Sequence, residues 1–244
     1  MQRPWTLTPP RLARPEPCLT FAPLAWLKLA FFCHLGETEI GGFGLSATDQ
    51  LLRVQDFVTV RQQTTAMTVR FLDDAVADHF DQCLEQGLSP ERCGRLWIHT
   101  HPGDSPLPSS IDEETFARGF GSCDWAVMMI LARSGQTFAQ LTFNVGPRVD
   151  KEISVRVDWS AWPDSLLGKP LLGDHAARWR QEYEANVHRH LPSLTIVTHP
   201  SQPDALAGVP WWERFGWGLV SGDFDPMAFE EDVPHECRDC PHAG

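Results

Sequence analysis

The chain has 244 residues, 42% of them hydrophobic, enough apolar matter to bury a sizeable core as one large domain or as a domain with an extension. Its 32 acidic residues against 20 Lys and Arg give a formal net charge of −12, and no basic stripe runs along the sequence, so nucleic acid is excluded as a partner. No apolar leader follows Met1, and the apolar stretch 24–35 is too short and too polar to span a membrane, so the expectation is a soluble, cytoplasmic protein. The cysteines (Cys18, Cys33, Cys83, Cys93, Cys123, Cys237, Cys240) form an odd, scattered set of 7, which fits reduced thiols better than a disulfide frame.

Six prolines within residues 1–23 predict an extended arm outside the core. Residues 24–32 read as a short amphipathic helix. A Gly-rich strand follows over 39–45, its glycines leaving room for another backbone or a ligand, and further strands are expected over 51–60 and 67–71. In the helix expected over 73–86, Ala75, Val76, His79, Phe80, Cys83 and Leu84 recur at helical spacing. His79 lies beside that stripe with no partner motif around it in sequence, and reads as a partly buried helix histidine rather than a ligand.

The most informative stretch comes next. Residues 95–98 form a brief apolar run bounded by turn residues, the mark of a buried strand. His99 and His101 at its end, two apart, share one strand face. Residues 102–106 are a Pro/Gly loop, and the chain restarts at Ser109 as a helix N-terminus that carries Asp112 in its first turn. A strand end, a loop and a helix start can converge so that two neutral imidazoles and a carboxylate surround Zn²⁺, with the fourth position left to water. The competing explanation is structural: Ser109-x-x-Asp112 and Ser110-x-x-Glu113 are both capping-box patterns. Capping explains the serines and acids, but not the two histidines before them. An open zinc site also needs a group that handles protons, usually a glutamate. Glu39 and Glu37 both qualify, and a spacing of i and i+2 on a strand cannot choose between them.

Taken together, Glu39-Ile40-Gly41-Gly42, His99-Thr100-His101-Pro102 and Ser109-Ser110-Ile111-Asp112 resemble the motif of the JAMM (MPN-type) zinc metalloproteases, a deubiquitinase-like family. The resemblance includes that family's gap of seven residues between His101 and Ser109. It covers residues 24–159 and favours Glu39, since Gly42 follows Glu39 at the family's spacing whereas Ile40 follows Glu37. The resemblance implies an α/β, cytidine-deaminase-like fold, a curved mixed sheet flanked by helices. It also implies one Zn²⁺ per chain on His99, His101 and Asp112, with Glu39 as proton shuttle and Ser109 donating to the developing oxyanion. The implied reaction is hydrolysis of the amide or isopeptide bond after the C-terminal glycine of a ubiquitin-like or sulfur-carrier protein, by a stand-alone prokaryotic member. The strand after the motif helix is expected to offer an edge to which an extended substrate tail adds. Alternatives are a non-catalytic MPN scaffold and a zinc amidohydrolase of small peptide conjugates. The H-E-x-x-H helix of thermolysin-like proteases is absent from the sequence, and position 101 is histidine where nucleobase deaminases need glutamate.

Beyond the motif, 125–132 and 137–145 form a hairpin around the turn 134–136, and 152–159 alternates as a half-exposed strand, making the sheet mixed. The expected organisation is therefore an arm over 1–23, a catalytic domain over 24–159 and an extension over 160–244. Trp162, Trp179, Trp211, Trp212 and Trp217 crowd that extension around a helix expected over 174–190, and are read as a satellite core rather than a binding surface. Cys237-x-x-Cys240, flanked by His235 and His242, resembles half of a zinc knuckle but lacks a second ligand pair, so it is read as part of an acidic tail.

Overall fold

The structure is a computed structural model that describes residues 16–164 and 173–190. In chain order the elements begin with β1 (Cys18–Phe21), α1 (Pro23–Leu35), β2 (Ile40–Ser46), β3 (Arg53–Val58), β4 (Gln62–Thr64), β5 (Val69–Phe71), α2 (Asp73–Glu85) and α3 (Pro90–Cys93). They continue with β6 (Leu96–His101), α4 (Ser110–Phe120), β7 (Trp125–Ala132), β8 (Thr137–Phe143), β9 (Val149–Glu152), β10 (Ser154–Val157), α5 (Gly173–Asn186) and β11 (Val187–Arg189).

Eight strands form one mixed sheet in the order β10-β1-β3-β2-β6-β7-β8-β9. Its two edge strands are consecutive in the chain. β9 pairs with β8, β10 pairs with β1, and between them lies Ile153, whose amide bonds the Ala139 carbonyl at 2.9 Å. One bent segment thus closes the curved sheet nearly on itself, and the expected strand 152–159 is cut back to β10, with Glu152 ending β9 on the other side of the bend. A small second sheet, β11-β4-β5, stands against β2.

Both faces of the main sheet are buried, so its central strands are continuously apolar rather than alternating with polar residues. Along β6 and β7, Leu96, Ile98, Val127, Met129 and Leu131 face the core under α1. The intervening Trp97, Ala126, Met128 and Ile130 face a second core with Ala75 and Val76 of α2 and Phe116 and Phe120 of α4. The period of two therefore sends Trp97, His99 and His101 to the α4 side.

Four sequence readings need correction. Cys18–Phe21, expected to lie in the arm, is a strand inside the main sheet with Leu19 and Phe21 wholly buried; the proline density around it hid a four-residue run. α1 is apolar nearly all round rather than amphipathic, because α5 covers the face the sheet leaves free. Phe31 packs on Trp179 with ring centroids 5.7 Å apart, and Phe32 on Tyr183 at 6.1 Å. The helix expected over 174–190 ends at Asn186 and becomes β11, which pairs in parallel with β4. Lys28, 5% exposed, joins the two helices by an ion pair to Glu182 at 2.7 Å. Glu182 also accepts hydrogen bonds from the Thr59 amide and hydroxyl at 3.0 Å each. Trp179, expected in a satellite core, is instead buried in the main core with α1 and the sheet, whereas Trp211, Trp212, Trp217, the Cys237/Cys240 cluster and residues 1–15 lie outside the described residues. Among the described residues no helix is long and apolar enough to cross a membrane.

Candidate metal centre

His99 and His101 project from the end of β6 on the side of α4. Trp97, two residues earlier on the same face, stacks on the His99 ring at 4.4 Å and on Phe116 and Phe120 of α4 at 6.1 and 6.2 Å. Phe116 and Phe120 follow Asp112 at intervals of four, so one helical stripe docks α4 on Trp97 and hangs Asp112 over the histidines. Ser109 caps the helix: its hydroxyl accepts from the Asp112 amide at 3.2 Å, while Asp112 Oδ2 accepts from the Ser109 amide and hydroxyl at 2.7 Å each. Of the two capping-box registers, Ser109 with Asp112 is the one that forms.

The second carboxylate oxygen is free of that cap. Asp112 Oδ1 lies 3.3 Å from His99 Nε2, and Oδ2 lies 3.6 Å from His101 Nε2. The ligand atoms of His99, His101 and Asp112 all fall within 4.8 Å of one another. His99 Nδ1, His99 Nε2 and His101 Nε2 are buried without a hydrogen-bond partner, a costly arrangement unless another group satisfies them. The three side chains face a common point without bonding one another well. This donor set of two imidazoles and one carboxylate, with orphaned lone pairs, fits a zinc ion. His101 Nδ1 lies 3.0 Å from the Ser105 carbonyl and so must carry the proton, which leaves Nε2 bare toward the centre.

Glu39 sits just before β2, 5% exposed, with Oε1 3.7 Å from His101 Nε2. Glu37 points away, its side chain 81% exposed at 3.9 Å from Arg189. β2 lies antiparallel to β6 with Gly41 opposite His99 and Ile40 opposite Thr100, and this register brings the strand start to the histidines. Gly42 must lack a side chain, since a Cβ there would stand 2.3 Å from the Val58 carbonyl oxygen. Gln62 locks Gly41 by accepting from its amide and donating to its carbonyl, both at 2.8 Å. Sequence reasoning missed Gln62 because its role depends on β4 lying against β2.

The electrostatics of the bare cluster are strongly coupled. Burial and the Asp112 charge push the Glu39 carboxyl up to about 8, against a smaller opposing pull from His101. Burial would raise Asp112 as well, but His101, His99 and Ser109 outweigh it and hold the carboxyl well below the usual range. Burial lowers His99, keeping it neutral as a ligand must be. Burial also pulls His101 down, but Asp112, the Ser105 carbonyl and Glu39 raise it on balance.

The strand after the motif helix, β7, is not an edge. It pairs in parallel with β6 and antiparallel with β8 over nearly its full length, so the expected addition of a substrate strand there is ruled out. No model of a known protein family matches this chain, and no curated protein is significantly similar to it in sequence.

Proposed function

We propose that this chain is a zinc-dependent hydrolase that cleaves the amide or isopeptide bond after the C-terminal glycine of a ubiquitin-like or sulfur-carrier protein. The observation that carries the reading is the convergence of His99, His101 and Asp112 with three imidazole nitrogens buried and unpartnered. These three residues would hold the ion, which when bound supplies a Lewis acid that acidifies water and polarises a carbonyl.

The protein groups do the rest. Glu39, at the rim of the donor cluster, takes a proton from water and delivers it to the leaving amine. Burial and Asp112 hold Glu39 protonated up to about pH 8, and a divalent cation held by His99, His101 and Asp112 would lower it toward the carboxylate a base requires. Ser109 Oγ is fixed by the bond it accepts from the Asp112 amide, so rotation of its hydroxyl proton redirects the donor from Asp112 to an oxyanion on the substrate. The Ser105 carbonyl holds the His101 ring in its tautomer throughout. The substrate class rests on the motif resemblance. With both sides of β7 paired, the glycine tail must approach by another surface.

A non-catalytic scaffold is supported by one observation, the capping box, which accounts for Ser109 and Asp112 without a metal. It leaves unexplained the bare His101 Nε2 and the one His99 nitrogen that a metal would take. The test joins metal analysis to turnover. About one zinc per chain at this centre, lost in His101→Ala, and cleavage of a ubiquitin-like protein joined by its terminal glycine to a lysine side chain, are expected. Bound zinc without cleavage of folded carriers, but with cleavage of short peptide conjugates, moves the assignment to a small-substrate amidohydrolase. Equal zinc in the wild type and His101→Ala, which shows none at this centre, moves it to the scaffold.

A further inference from the structure

A second group of metal-type donors lies on the same side of the sheet, in elements separate from the first. His79 and Cys83 are one helical turn apart on α2, and Cys93 ends α3; they are 6%, 4% and 1% exposed. Their donor atoms all fall within 4.8 Å of one another. From the geometry we propose that His79, Cys83 and Cys93 form a second, structural site for a thiophilic d10 ion such as Zn²⁺, stapling α2 to the segment that leads into β6.

The His79 ring is already set up as a ligand. Its Nε2 lies 3.0 Å from the Cys93 carbonyl oxygen, which can only accept, so Nε2 carries the proton and Nδ1 presents a lone pair. Metal-bound histidines are commonly held this way, the second ring nitrogen donating to a backbone carbonyl. Cys83 Sγ lies 4.0 Å from Nδ1 and 3.7 Å from Nε2, so it stands beside the ring rather than on the Nδ1 lone pair. Tetrahedral zinc with Zn–S of about 2.3 Å and Zn–N of about 2.0 to 2.1 Å places N and S about 3.6 Å apart, so loading requires the Cys83 thiol to turn toward Nδ1 and close by a few tenths of an ångström. Phe43 stacks on the imidazole at 4.6 Å and 9°, and Phe80 lies edge-on at 5.4 Å, fixing the ring plane; with three protein donors, a water would supply the fourth ligand of zinc. Burial keeps the imidazole neutral.

Charge and softness select the ion. Two thiolates and a neutral imidazole carry two negative charges, which a divalent cation neutralises in a site that would not tolerate an unbalanced one. Two sulfurs and one nitrogen suit zinc and disfavour calcium or magnesium, which take oxygen ligands. Without an ion the thiols stay protonated: Cys93 donates to the Ser89 carbonyl at 3.4 Å, and burial pushes its thiol up to about 12. Loading therefore releases two protons, one from each thiol. The staple acts on the first centre through chain connectivity, because Cys93 stands three residues before β6 and six before His99.

This inference does not depend on hydrolase activity, and the test keeps the two centres apart. The full chain carrying Asp112→Ala, Cys237→Ser and Cys240→Ser, purified under reductant, is loaded with cobalt(II). One cobalt per chain with thiolate-to-cobalt charge-transfer absorption is expected, and both vanish when Cys83→Ser and Cys93→Ser are added. No charge-transfer absorption in the first protein, or absorption that survives the two added substitutions, overturns the proposal. The unsubstituted protein gives a reading independent of any variant's folding. Zinc should slow alkylation of Cys83 and Cys93 at least tenfold relative to the chelated protein, with buried Cys33 as the unresponsive control. Equal rates with and without zinc, or a Cys83–Cys93 disulfide formed under reductant, also overturn it.

Discussion

Replacing Asp112 by alanine separates the two roles that its carboxylate occupies. As the third helical residue it satisfies the Ser109 amide and hydroxyl, and losing such a cap costs about 0.5 to 2 kcal/mol. Part of that loss is offset in the metal-free protein, because Asp112 also repels the Glu39 carboxylate. With chelator present, the variant should therefore be less stable than the wild type by the loss of the cap, about 0.5 to 2 kcal/mol, together with the lost His101 and His99 contacts, independent of zinc. As a ligand, Asp112 adds a term that exists only with metal. Free zinc a thousandfold above its Kd stabilises the folded chain by about 4 kcal/mol per site, worth about 8 to 16 °C in melting temperature for a domain of this size. The cysteine and histidine cluster contributes alike to both proteins and cancels in their difference. Urea unfolding of both proteins in chelator and in buffered zinc measures the two terms separately. A deficit that is the same in both media would refute the ligand assignment and leave Asp112 as a helix cap and a metal-free partner of the histidines.

Glu39→Gln should retain metal while hydrolysis falls by about 10² to 10⁴, the usual contribution of a proton-transfer group; steady-state turnover on an isopeptide conjugate measures it. The same variant carries a pH signature in the chelated protein. Glu39 has its folded pKa raised from 4.5 to about 8, so its stabilising contribution is present below 4.5 and lost as pH rises toward 8. Wild type should accordingly lose up to a few kcal/mol relative to Glu39→Gln between pH 5 and 8, and parallel stability profiles would show that Glu39 is not buried as described. Lys28→Met removes the cation that Glu182 faces and that also pairs with Asp56 at 3.4 Å. Because Glu182 and Asp56 keep side-chain exposures of 24% and 50%, about 1 to 3 kcal/mol is expected rather than the full cost of a broken buried pair. Hydrogen exchange should show α5 opening first in that variant, and unaltered protection of α5 would contradict the ion pair's role. Gly42→Ala drives a Cβ into the Val58 carbonyl and the Phe57 ring, and should cost about 1 to 3 kcal/mol by thermal unfolding while disturbing the approach of Glu39.

The amino-acid sequence alone determined the parts of this protein that follow local rules. The period of two in β6 put His99 and His101 on one face, and the Ser109-to-Asp112 interval set a helix start that carries a carboxylate. The turn at 134–136 was equally readable, since Gly135 adopts a φ of 85°, which favours glycine. What the sequence could not decide were relations between distant segments. Glu37 and Glu39 share one strand face by spacing, and only the pairing of β2 with β6 sends one inward and leaves the other by Arg189. Proline density masked β1, whose place depends on β3 and β10 closing round it. α1 lost its amphipathic pattern because α5, some 140 residues later, covers its outer face. His79 looked solitary along the chain because Cys93 reaches it from another helix, across a turn that no periodicity encodes. Dihedral preferences and alternation act over a few residues and are legible there, whereas which faces meet is settled by burying all of them at once.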